Sequence, residues 1–175
     1  MKKIAIAALL SAFAAVPAVA ADMYVGVNAS QNQTGYNNVG ASMGFGILGG
    51  YSFSDSLAAE LSYSTTGNAT ISASTGGGTA SGTVTALAAV YSLPVGKDFA
   101  VKGKLGYAST TITCSQTGCG SANRSDLIYG VGAQYNANKA IGVTLSYDVA
   151  KIGDGSSNFA VKDVSMLSLG VVYKL

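Results

Sequence analysis

The sequence has 175 residues and not one histidine, so it lacks the side chain that most often moves protons near neutral pH. Ser-His-carboxylate triads and His-containing metal sites are excluded with it. Carboxylates remain, but Asp126, Asp148, Asp154 and Asp163 are scattered over strand ends and connections, at no spacing that suggests an acid-base dyad. Gly76-Gly77-Gly78 precedes neither a Lys nor a helical pattern, which makes it a flexible connection rather than a phosphate cradle. Asn68-Ala69-Thr70 matches a glycosylation sequon in a stretch so rich in Asn and Thr that chance supplies the match. These observations assign no catalytic residue, no cofactor site and no metal site, and no enzymatic activity is expected.

The first residues decide how the two cysteines are read. Lys2-Lys3, a mostly apolar run from Ile4 to Val16 and the small-residue triplet Ala18-Val19-Ala20 have the three-part layout of a secretory signal peptide. The expected organisation is a signal peptide over 1–20, cleaved near Ala20 or Ala21, followed by a single domain over 21–175. The apolar run is too short to span a bilayer as a helix. Removing Lys2 and Lys3 from the 10 basic residues leaves eight against the 8 acidic ones, so no electrostatic footprint for nucleic acid exists. Export leads to an oxidising compartment, where Cys114 and Cys119 are expected to close a small disulfide loop. A zinc site is the rival, and two thiols without histidine supply too few ligands for it.

The rest of the chain alternates with a period of two. Ile141, Val143, Leu145, Tyr147 and Val149 interleave with Gly142, Thr144, Ser146 and Asp148, and similar splits run over residues 127–135, 99–107, 57–64 and 167–175. A noisier alternation covers 42–51 after a short strand near 23–30. Residues 83–93 are apolar on both parities, and Leu87, Ala89, Tyr91 and Leu93 are placed outward by analogy with their neighbours. The count is eight strands. With no apolar run long enough for a spanning helix after Ala21, the chain can enter a membrane only as a closed barrel.

Short turn-rich pieces at 52–56, 94–98 and 136–139 alternate with longer polar connections at 31–38, 66–82, 109–125 and 150–160. That is the layout of an eight-stranded antiparallel up-and-down barrel with periplasmic turns and external loops. Tyr51, Tyr91, Tyr135 and Tyr173 each close an even strand, while Tyr63, Tyr107 and Tyr147 sit 6 to 8 residues into odd strands. Together they are expected to form two aromatic girdles at the lipid headgroup levels. The opposite parity directs Glu60, Lys102, Lys104, Gln134, Asp148 and Lys174 into the lumen. Eight strands leave an interior only wide enough for side chains, so these charges must pair. Glu60 is expected to meet Lys102 or Lys104.

The signal-like start, Tyr24-Val25-Gly26-Val27, Gly49-Gly50-Tyr51-Ser52-Phe53, Glu60 with Tyr63, and Gly170-Val171-Val172-Tyr173-Lys174-Leu175 resemble the small bacterial outer-membrane β-barrel family, which includes opacity-type and OmpX-type proteins and the OmpA-type membrane domain. Members commonly finish in Phe, whereas this sequence has Tyr173 followed by Lys174-Leu175. The resemblance implies a monomer in the outer membrane of a Gram-negative bacterium. Outer-membrane lipid, lipopolysaccharide and the barrel-assembly machinery would be its partners, and four polar loops would be free to meet a host or cell-surface partner. A structural or surface-interaction role is the expectation. The alternatives are a narrow channel for small or hydrophobic solutes and a soluble periplasmic barrel that binds lipid inside.

Overall fold

Strands whose alternate side chains differ this sharply in polarity must separate two media, and a closed cylinder does so without an unpaired edge. The computed structural model describes residues 23–34, 40–71, 78–115, 121–151 and 163–175. Within them eight strands close into one antiparallel barrel in chain order. They are β1 (Met23–Thr34), β2 (Ser42–Ser52), β3 (Leu57–Ile71), β4 (Gly78–Pro94), β5 (Phe99–Cys114), β6 (Ser121–Asn136), β7 (Ile141–Lys151) and β8 (Asp163–Lys174). The expected signal peptide, and Cys119 with the disulfide expected of it and Cys114, lie outside the described residues.

Register fixes the shape. Stepping through cross-strand partners, Tyr24 leads to Gly50, Glu60, Ala88, Gly106, Ile128, Ala150 and Val164 in turn, and then to Thr34. One circuit therefore climbs β1 from residue 24 to residue 34. Eight strands about 4.8 Å apart with that stagger tilt by about 40° and enclose a wall of radius about 8 Å. An interior of that width is one that side chains can fill.

The apolar parity is the outer one. Neighbouring valines of β8 show this without any difference in residue type: Val171 is 45% exposed and Val172 3%. Leu87, Tyr91 and Leu93 of β4 stand on the outer surface too, as placed by analogy. A soluble lipid carrier needs the apolar row inside, so that alternative fails.

Three short turns join the strands at one end. In the first, the Ser54 hydroxyl accepts from Leu57 N–H; in the last, the Asn138 side-chain oxygen accepts from the N–H groups of Ala140 and Ile141. At the other end the strands run further than the sequence pattern suggests. β3 continues to Ile71 and β4 starts at Gly78, where a connection over 66–82 is expected; β5 and β6 likewise take up much of 109–125. Here the outward face is polar and the inward face mixes Thr and Gly with Ala69, Ala80 and Ile112, so the alternation is too weak to announce a strand, yet Thr is a good strand former. The four central strands consequently have 15, 17, 16 and 16 residues against 11 or 12 for the other four. They rise beyond the rim as a four-stranded sheet.

Candidate functional site: the lumen

The lumen is built by division of labour between odd and even strands. Odd strands send in long groups: Tyr24 from β1, Glu60 from β3, Lys102 and Lys104 from β5, Ser146 and Asp148 from β7. Lys104 Nζ lies 2.8 Å from Glu60 Oε1 and 3.7 Å from Asp148 Oδ2, so one ammonium ties carboxylates on two other strands. The Tyr24 hydroxyl donates to Glu60 Oε2 at 3.3 Å, and the Ser146 hydroxyl to Asp148 Oδ2 at 3.1 Å. Lys102 Nζ sits 5.5 Å from the centre of the Tyr24 ring, within the range of a cation-π contact. Two ammonium groups and two carboxylates make the set neutral. That balance lets charges persist where an isolated one would be costly.

Even strands supply the room. Tyr24 pairs with Gly50 and Asp148 with Gly130. A Cβ on Gly50 would collide with the Tyr24 ring, and one on Gly130 with the Asp148 carboxylate. Gly132 is the cross-strand partner of Lys102, and a Cβ there would press on Leu145 O and Ser146 of β7. The glycines of the even strands thus let the long groups lie across the wall.

Apolar clusters pack on either side of the charged set. Towards the turns lie Tyr24, Ala58, Val90 and Val172. Towards the long connections lie Val84, Ala86, Ala108, Ile128, Ala150, Val164 and Met166. Between them remains a cavity of about 50 Å³, bordered by Asn28, Glu60, Lys102, Lys104, Ser146 and Asp148. That is room for a few waters.

The expected lumen residues are therefore not one group. Glu60, Lys104 and Asp148 are brought together, and Lys102 joins through Tyr24 rather than through a carboxylate ion pair. Gln134 is buried near the turns and donates to the Asn136 side-chain oxygen at 2.7 Å, apart from the charged set. Lys174 requires correction: it shares the inward parity, but it ends β8 opposite Tyr24 and is exposed at the rim. Sequence reasoning missed Tyr24, because tyrosine in a membrane strand suggests a girdle. Its parity was the available signal, since Gly26, Asn28, Ser30 and Asn32 lie on the same side of β1.

On the outer surface Tyr63, Tyr91, Tyr107, Tyr135, Tyr147 and Tyr173 are exposed and Tyr51 is half-buried. Tyr129 stands among them, a further candidate for the upper ring. The register sets Tyr63 opposite Ile47, Tyr107 opposite Leu87 and Tyr147 opposite Val131, each four residues above the tyrosine that closes the partner strand. Four residues are about 13 Å along a strand. The Tyr107 hydroxyl reaches upward to Ser125 O, while Tyr51 and Tyr135 pack against Phe53 and Phe99 at the turn end. Tyr107 thus leans away from the turn end and Tyr51 and Tyr135 towards it, while the roughly 13 Å between their levels on paired strands is shorter than the band of about 25 Å that two girdles flank.

These features, a narrow lumen of paired charges inside and an apolar skin outside, agree with what known proteins show. The description of the outer membrane protein beta-barrel domain matches residues 5–174. The chain belongs to that family. Its place is the bacterial outer membrane. Among solved structures it is similar to Ail, the attachment invasion locus protein of Yersinia pestis, in complex with the heparin analogue sucrose octasulfate (18% identity, 87% of this chain and 96% of that one, TM-score 0.58). Neisserial surface protein A is similar as well (16%, 87% and 97%, TM-score 0.66). So is the outer membrane enzyme PagL (12%, 86% and 99%, TM-score 0.52). At these identities the likeness is one of fold. No protein of curated function matches the sequence.

Proposed function

We propose that this protein is a non-conducting, monomeric outer-membrane barrel with a structural or surface-interaction role, its turns in the periplasm and its raised sheet outside the cell. The observation that carries this reading is the stack of layers in the lumen: apolar, charged, apolar. A conducting path needs water from end to end, and here apolar side chains pack on both sides of the charged set, which leaves a cavity of only about 50 Å³. The interior therefore holds the cylinder together, and the external end is the part left to meet partners, as surface connections commonly do. Catalysis has no support in the residues, since the chain has no histidine and Glu60 and Asp148 are engaged with Lys104. The tyrosine rings would anchor the barrel at the two headgroup levels, and the assembly machinery would receive the closing strand β8.

Planar-bilayer recording tests this reading. The wild-type barrel is expected to give no steady ion conductance. Stable conductance steps that disappear in Glu60→Ala or Lys102→Ala would establish the channel instead, with the charged layer as its gate.

A further inference from the structure

Above the upper tyrosines, the outward face of the raised sheet changes character. Thr65, Thr83, Thr111 and Asn123 stand side by side across β3, β4, β5 and β6. The row below contains Thr85, Ser109 and Ser125, and the row above Asn68, Ser81 and Thr113. Thr70 and Thr79 pair beyond those, and the Thr79 and Ser115 hydroxyls lie 3.1 Å apart. Neighbouring strands lie about 4.8 Å apart and successive rows about 6.6 Å, so the face is a regular lattice of short polar groups. Among the described residues it carries no charge: Arg124 and Asp126 have the inward parity.

A bulge in β3 serves this arrangement. Up to Thr65 the odd residues of β3 face out; the register then skips at Thr66, and Gly67 takes a φ of 70°, the left-handed conformation that glycine adopts without strain. Beyond it Asn68 and Thr70 are exposed while Ala69 is buried. Had the same residues alternated without the bulge, β3 would present Gly67 and Ala69 outward instead.

We infer that this face binds the neutral saccharide portion of the glycolipid in the same outer leaflet. The inference rests on the reading above that the raised sheet lies outside the cell. Three observations favour that occupant over bulk water or a polyanion. The face continues the lipid-facing wall without a break, on the parity of Tyr63, Leu87 and Tyr107, so the next layer outward from the acyl chains is the sugar of the same lipid. Among the described residues the face has no cation of its own with which to hold sulfate or phosphate, the exposed Lys151 of the neighbouring β7 standing opposite Asp163, and an uncharged sheet of this size is unlike a surface meant for water. Hydroxyls both donate and accept, which matches sugar hydroxyls, and the stiff χ1 of Thr fixes them in place beforehand.

The full mature chain, folded in detergent, is titrated with lipopolysaccharide carrying its neutral hexose core and with the same lipid truncated before those hexoses. The intact lipid is expected to bind at least tenfold more tightly. T83V/T111V, which keeps the β-branched shape and removes two hydroxyls, is expected to abolish that difference and leave affinity for the truncated lipid unchanged; T113V with N123A is the second variant, should the first not fold. Equal affinity for the two lipids, a difference that survives both variants, or heparin binding that depends on Thr83 and Thr111 would overturn the inference. Surface labelling of Asn123→Cys on whole cells, in a background lacking Cys114 and Cys119, separates this failure from a failure of the topology: an unlabelled cysteine contradicts the orientation itself.

Discussion

Lys104 is the one side chain whose removal leaves two buried carboxylates without their cation. Glu60 and Asp148 are 5% and 7% exposed, too dry for water to replace an ammonium fully. Lys104→Met is therefore expected to destabilise the barrel by about 3–5 kcal/mol. Lys102 makes a cation-π contact with Tyr24 and, among the described residues, no carboxylate ion pair within 4 Å, and Lys102→Met is expected to cost only about 1 kcal/mol. Urea titrations in lipid vesicles, read by the heat-modifiable gel shift, compare the two directly. Equal losses would mean that the ion pairs do not organise the lumen. At this scale the sequence was partly legible: parity alone directs Glu60, Lys104 and Asp148 inward, but not which charges meet. That depends on the stagger of the closed barrel, which no single strand carries.

Between the strands, glycine has two opposite uses, and the register tells them apart. Gly50 and Gly130 leave space that a facing side chain occupies, whereas Gly103, on the outer face of β5, has no heavy atom within 4 Å of where a Cβ would lie. Gly50→Ala and Gly130→Ala are each expected to cost about 1–3 kcal/mol through overpacking. Gly103→Ala is expected to be neutral or to stabilise by up to about 1 kcal/mol, through the entropy of the unfolded chain. The same urea titrations check all three, and a Gly103→Ala variant as unstable as the others would contradict the assignment of faces. Strand existence and direction were readable from alternation wherever one face meets hydrocarbon and the other the lumen. The upper halves of β3 to β6 were not, because their outward residues are Ser, Thr and Asn and their inward ones mostly small, so the contrast that marks a period of two is lost.

Seen whole, the molecule is two environments separated by one layer of backbone. The eight strands, their order and the family were legible from periodicity, connection lengths and aromatic placement, since closing the cylinder is the only way to satisfy every backbone group in lipid. The apolar layers inside the lumen were not: Ile128, Ala150, Val164 and Met166 have no polar contrast to mark them, and only closure brings them together. The outward direction of the apolar row carries everything else, and β8 offers the cleanest test. Spin labels at Val171→Cys and Val172→Cys, in a background lacking Cys114 and Cys119 and in lipid bilayers, compare two adjacent positions of identical original residue type. High accessibility to oxygen dissolved in the acyl chains is predicted at 171, with 172 shielded from it. Greater exposure to the acyl region at 172 than at 171 would contradict the account.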